Sequence, residues 1–384
     1  MDKNMNSLRW DPSVFITGAK TPQFWQKHFL NPERKLLFVL GKGFDIRMNI
    51  AITSLLEVCP DIDMECWLVE FDEGPGSNSV NYKPFVEENV TELNGLLNGR
   101  LILTKAINLW SPVSKGKRKR VGDRQAALLL NSFEQISKFT DIIVDISALP
   151  RGVYFSLVGK FLTFIDTYAK ESPPNFFVVV SENAEIDVRI KEKGIDEDVG
   201  YIHGFGGTIE LAADSEEPII WFPILGEEKH EHLDKAYSHI RPHEICPVLP
   251  FPSKNPRRSD LLIRDYHQLL FDKLNIESQN LMYVPEQNPF EAYIRLTKAI
   301  RNYYASLKAL NGCKAVISTF SSKLLSIGTL LAAYELINQI GVGVLNVDSQ
   351  GYEIDSFEDL KNLKDESELF VLWLTGEPYK EPDK

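Results

Sequence analysis

The sequence predicts an α/β protein built as two Rossmann-like lobes with mostly parallel sheets. Three observations lead there. Short, continuous apolar runs at 35–40 and 141–146 have the pattern of strands buried on both faces. Helix-length segments alternate with such runs, as a parallel sheet with crossover helices requires. The 384 residues are enough for two domains.

The elements follow in order. Residues 1–34 carry Trp10, Phe15, Phe24, Trp25 and Phe29 and read as a cap packed on the body. A strand at 35–40 runs into the glycine turn 41–47, and a helix continues to 58. A second strand, 65–72, ends in acids, so 35–72 reads as a right-handed βαβ unit. A helix at 82–98, a short strand at 101–103, a basic loop at 111–124 and a helix at 125–139 come next. A strand at 141–146, a helix at 153–168 and a strand at 175–181 complete a first lobe over 35–205.

The second lobe, 206–384, repeats the alternation. Its strands are expected at 218–224, 245–250, 281–284, 313–319, 342–347 and 368–374. Its helices are expected at 229–239, 258–273, 289–310 and 323–338. No short internal repeat is visible.

Composition narrows the function classes. Hydrophobic residues at 43% and charged residues at 25% exclude a disordered chain. A formal net charge of −12 argues against broad binding to nucleic acid or anionic membranes. No apolar stretch reaches the roughly 18 residues of a membrane span. The N-terminus has no apolar core of a secretory signal. The four cysteines, Cys59, Cys66, Cys246 and Cys313, show no C-x-x-C spacing. A zinc ribbon is thereby excluded, no disulfide framework is expected, and a reducing cytoplasm is the expected setting.

Three strand-end turns carry the candidate chemistry. The first is Gly41, Lys42, Gly43, Asp45 and Arg47, with Glu70 and Asp72 at the end of the next strand. A glycine turn at a helix start presents backbone N–H groups to anions, and strand-terminal acids sit where ribose hydroxyls are held. The same turn also serves a fold with no ligand. The second is Ser147 and Arg151, after the 141–146 strand, where arginine suits a phosphate and serine suits either a ligand or a helix cap. The third is Ser318, Thr319, Ser321, Ser322 and Lys323, hydroxyls and a lysine at a strand-to-helix turn. It lacks the glycines of a P-loop. All fourteen are candidate cofactor-binding residues; no catalytic residue and no metal ligand is assigned.

Two resemblances add expectations. Residues 35–72, through Gly41, Gly43, Phe44, Asp45 and Arg47, resemble the first motif of leucine carboxyl methyltransferase-like proteins. That likeness implies S-adenosylmethionine in the first lobe, with Glu70 or Asp72 on the ribose. Residues 313–352 resemble the C-terminal part of CRISPR-associated Rossmann-fold (CARF) sensor domains. That likeness implies a nucleotide phosphate at Ser318, Thr319 and Lys323, with Gly328 permitting close helix packing.

Other clusters are less specific. His230, His232, His239 and His243 lie close to Cys246, but histidines two apart on a helix face different ways, and acids surround them. His203 sits in a glycine-rich loop. The basic run from Lys115 to Arg120, with Arg124, suits a solvated loop slightly better than a surface for nucleic acid or an acidic partner. A second basic stretch, 252–258, follows a strand end. The expectation is a nucleotide-binding sensor or accessory subunit of a bacterial stress or phage-defence system, with a nucleotide-like small ligand and a protein partner. A transferase using S-adenosylmethionine or another nucleotide cofactor, and a structural scaffold, are the alternatives.

Overall fold

The computed structural model describes residues 7–72, 81–112, 119–196, 198–206, 209, 216–354 and 356–380. In chain order the strands are β1 (Val14–Thr17), β2 (Lys35–Lys42), β3 (Asp63–Asp72), β4 (Ile102–Asn108), β5 (Asp141–Asp145), β6 (Asn175–Glu182), β7 (Ile190–Lys193), β8 (Val199–Tyr201), β9 (Ile219–Ile224), β10 (Glu244–Ile245), β11 (Val248–Pro250), β12 (Met282–Val284), β13 (Lys314–Thr319), β14 (Val342–Val347), β15 (Gly351–Ile354) and β16 (Glu368–Thr375).

The chain forms two compact units. The first is Pro12–Gly194 with Ser349–Lys384, and the second is Met1–Asp11 with Ile195–Asp348. The α/β class with mostly parallel sheets stands. The limits differ from those the sequence suggests, because both ends of the chain cross over. Residues 1–34 are not one cap. Trp10 is fully buried edge-on against Tyr293 in the second unit, while β1 adds a strand to the first sheet.

The first sheet has the order β1-β16-β6-β5-β2-β3-β4. From β6 to β4 all pairings are parallel, and β16 joins β6 antiparallel, with Phe370 opposite Val180. The 368–374 strand was expected to close the second lobe; it belongs to the first. A continuous apolar strand suits the interior of either sheet, so composition does not choose between them.

The second sheet has the order β12-β11-β9-β13-β14-β8, with β10 on β9. Its β12-to-β14 core is parallel, and β8 joins β14 antiparallel. Numbered in chain order, the parallel strands of both sheets read 3-2-1-4-5, followed by an antiparallel strand. The two units therefore share a topology that no sequence repeat announces. In each, the crevice where the strand order reverses lies between strands one and four, β2 and β5 or β9 and β13.

Helices flank these sheets. Pro150 occupies the N-cap of Arg151–Tyr168, where a missing N–H costs nothing. Asn288 caps Pro289–Ser306 by accepting from the Glu291 N–H at 3.1 Å. Lys323–Leu336 is almost wholly buried, and Gly328 lets Pro289–Ser306 approach: a Cβ there would lie 2.7 Å from the Pro289 carbonyl oxygen. The 125–139 helix is instead Gly122–Leu128 with a short turn at Phe133–Gln135.

Candidate functional site

The first crevice is built from the turns after β2 and β5, and they press together. A Cβ on Gly41 would lie 2.7 Å from Leu149 Cδ2 and 3.0 Å from the Ala148 carbonyl oxygen. Glycine is required here by close approach, not by backbone angle. The predicted 41–47 and 147–151 turns are thus brought side by side.

Their polar side chains are engaged with one another. Lys42 Nζ pairs with Glu70 Oε1 at 2.5 Å. Arg47, buried, donates from Nε and Nη2 to the two oxygens of Asp45 at 3.0 and 2.8 Å, and from Nη1 to Asp187 at 2.7 Å. Burial alone would lower its pKa, yet Asp45 and Asp187 hold it well above the ordinary value. Asn89 Nδ2 donates to the carbonyls of Gly43 and Asp45 at 2.9 and 3.0 Å. Asp72 lies exposed at the end of β3, opposite Asn108.

Ser147 is fully buried. Its N–H donates to Asp145 Oδ1 at 2.8 Å, and its hydroxyl accepts from the Ser181 N–H at 2.9 Å. It does not cap the following helix; Pro150 holds that position and Arg151 opens the helix, half-buried. Ser147 is a tie between β5 and β6.

A strap from the same unit lies over the first turn. Phe44 packs against Tyr82, Tyr352 and Phe357 at centroid distances of 5.0, 5.8 and 6.3 Å. The Tyr82 hydroxyl donates to the Tyr352 carbonyl at 3.2 Å and accepts from the Ile354 N–H at 3.1 Å. Ile46, Ile186 and Leu360 form a small buried cluster beneath. The glycine turn is covered.

The third predicted turn, 318–323, follows β13 and so belongs to the other sheet. Three turns do not share one sheet edge. In this second crevice Gly226, after β9, meets the Phe320 carbonyl and Ser321 Cα so closely that no Cβ fits. Phe320 lies three positions before Lys323, as Ala148 does before Arg151, and both basic residues open their helices. The same device therefore recurs in both units.

Within this turn the residues divide. Ser318 is buried and accepts from Trp221 Nε1 at 3.1 Å; Thr319 is buried with its hydroxyl 2.9 Å from that of Ser326. Ser321, Ser322 and Lys323 are half-buried, and of these Ser321 keeps its hydroxyl oxygen buried. Ser322 caps the helix, accepting from the Leu325 N–H at 3.4 Å. Arg258, from the 252–258 stretch, holds both oxygens of Glu227 at 2.6 Å and Glu286 at 2.5 Å. This keeps the Glu227 carboxyl below its ordinary pKa despite partial burial.

The remaining candidates are structural in their contacts. His230 stacks on Tyr266 with centroids 4.1 Å apart, His232 is buried, and His243 Nδ1 accepts from the Ile219 N–H at 3.1 Å. Among the described residues no three His, Cys, Asp or Glu gather as a metal-binding group. Residues 115–118 of the basic run, and residues 207–208 beyond His203, lie outside the described residues. Arg120 donates to the Ser349 carbonyl at 2.6 Å and lies over the Trp110 ring. Burial pushes the Cys66 and Cys246 thiols up to about 12, which suits inert core thiols. No helix among the described residues is long and apolar enough to cross a membrane.

Sequence reading missed Asp187, Asn89 and Gly226. Gly226 had a visible signal, a glycine just past an apolar strand; the other two are distant in sequence and gave none.

No family model and no curated protein sequence matches the chain. Solved structures similar to it include a protein described as a universal stress protein from Pseudomonas aeruginosa UCBPP-PA14. It is 11% identical, covers 86% of this chain and 96% of its own, and has a TM-score of 0.23. A universal stress protein from Archaeoglobus fulgidus DSM 4304 is 10% identical, with coverages of 80% and 94% and a TM-score of 0.21. UDP-GlcNAc 2-epimerase from Methanocaldococcus jannaschii is 12% identical, with coverages of 86% and 92% and a TM-score of 0.20. Scores this low carry no functional assignment.

Proposed function

We propose that the chain is a nucleotide-binding sensor or accessory subunit whose ligand docks, by its phosphates, at the crevice of the second sheet. One observation carries this reading: the helix Lys323–Leu336 opens beside the strand-order reversal with Ser322 and Lys323 partly exposed. Backbone N–H groups, the Ser322 hydroxyl and an ammonium there suit an anion. Arg258 occupies Glu227, the acid that would otherwise oppose one.

The CARF-like resemblance of 313–352 supports the same place and a bacterial stress or phage-defence role. The phosphate contacts shift, however, from Ser318 and Thr319, which are engaged in the interior, to Ser322 and Lys323. S-adenosylmethionine at the first glycine turn is less supported, since Lys42 holds Glu70 and the strap covers Phe44. A melting-shift screen over mononucleotides, cyclic oligonucleotides and S-adenosylmethionine tests the proposal. A ligand at about 100 times its Kd stabilises by roughly 2.7 kcal/mol. A shift with a nucleotide, lost in Lys323→Ala, is expected. A shift with S-adenosylmethionine alone favours the transferase reading, and no shift with either favours the scaffold.

A further inference from the structure

The carboxyl edge of the second sheet carries an exposed aromatic pair that no site above uses. Phe251, just past β11, is 47% exposed, and Tyr283, in β12, is 39% exposed. Their rings meet edge to face, with centroids 6.1 Å apart and planes at 77°. The backbone beneath them is fixed. The Phe251 N–H donates to the Val284 carbonyl at 2.7 Å, and the Glu286 N–H to the Pro252 carbonyl at 2.9 Å. Arg295 Nη1 donates to the Tyr283 carbonyl at 2.7 Å. Rings held in place yet left bare are the kind of platform on which nucleobases stack.

Position ties this pair to the phosphate site. Thr319, Ile224, Val248 and Met282 form one row across β13, β9, β11 and β12. Three residues beyond that row stand Ser322, after β13, and Phe251, after β11. The two leave the sheet at one level, two strand spacings or roughly 10 Å apart. One nucleotide, extended from phosphate to base, covers such a span. The charge of this rim also suits a nucleotide. Arg257, exposed on the loop that Phe251 begins, has no side-chain hydrogen bond or ion pair among the described residues. The nearby acids Glu227 and Glu286 are both held by Arg258.

We propose that the base of the nucleotide stacks on Phe251 and Tyr283, an inference that rests on phosphate docking at Ser322 and Lys323. The platform selects nucleotides over sugar phosphates, which offer nothing to stack.

The test is calorimetric titration of the full chain with AMP, GMP, CMP, UMP and ribose 5-phosphate, which keeps sugar and phosphate but lacks a base. At least one nucleotide is expected to bind about ten-fold or more tightly than ribose 5-phosphate. Phe251→Leu keeps apolar bulk and removes the π-face. It is expected to weaken that nucleotide about ten-fold or more and to leave ribose 5-phosphate unchanged, while Phe251→Trp retains the nucleotide. Should Phe251→Leu fail to fold, Tyr283→Leu takes its place. The platform is overturned, and the phosphate site stands, if ribose 5-phosphate binds as tightly as every nucleotide or if the leucine variants bind as the parent does. Loss in Phe251→Leu with Lys323→Ala unchanged keeps the platform and overturns the phosphate placement. Binding of no probe overturns both.

Discussion

Asp187 reaches Arg47 at the carboxyl edge of the first sheet, its Oδ1 accepting from Nη1 at 2.7 Å. Because Asp45 holds the other side of the same guanidinium, the turn after the first parallel strand is tied to the helix Ala184–Arg189 after the fifth. Arg47→Ala takes the guanidinium from half-buried Asp45, which keeps the N–H of residue 47 at 2.9 Å. Such losses cost about 3–5 kcal/mol for a fully buried pair, and Asp187 is nearly half exposed, so about 3 kcal/mol is expected. Urea unfolding measures it; a loss below about 1 kcal/mol contradicts the structural role.

Gly226→Ala tests the second crevice. The added methyl meets the Phe320 carbonyl, which is backbone and does not swing aside as a flexible side chain would. Overpacking of this kind costs about 1–3 kcal/mol. The expected outcome is that loss together with weaker nucleotide binding, because the Ser321–Lys323 turn is displaced. Unchanged stability and affinity would show that the two turns are not pressed together.

Acid stability should depend on Asp141. It is buried, which raises its pKa, but His28 at 2.6 Å, Thr140 and Arg34 bring it below the ordinary 3.8. A depressed folded value means the unfolded chain binds the proton more readily. The contribution is therefore full above about pH 4 and is lost as pH falls through the folded value. Unfolding free energy measured between about pH 2 and 6 should fall with acid in the parent, and less steeply in Asp141→Asn. Equal slopes contradict the pairing.

The strap should open before the rest of its unit. Phe357 stacks on Phe85 with centroids 3.4 Å apart, while the polar ties Lys361–Glu88 and Lys364–Glu92 are exposed. Exposed pairs contribute under about 1 kcal/mol each, so the aromatic contacts hold it. In Phe357→Ala, hydrogen exchange at 349–366 is expected to quicken, with β2, β3 and β5 unchanged. Uniform quickening would mean that the strap and the sheet unfold together.

Much of the fold was legible because buried parallel strands write themselves as apolar runs: β2, β5, β6, β9 and β13 stand where the sequence places them. Edge and crossover elements were not. β1 and β15 are short and half-exposed, without a clear period. The partner sheet of β16 is set by long-range packing that Glu368–Thr375 does not encode alone. At the candidate site, the turns were legible from their glycines, serines and basic residues. Their occupancy was not, because Asp187 for Arg47 and Ser181 for Ser147 lie 140 and 34 residues away.

Calorimetric titration of the full chain with the nucleotide that gives the largest melting shift, repeated in Lys323→Ala and in Lys42→Ala, tests the central claim most directly. Placement at the second crevice predicts affinity reduced about ten-fold or more in Lys323→Ala and unchanged in Lys42→Ala. Loss confined to Lys42→Ala, or equal binding by all three proteins, contradicts it.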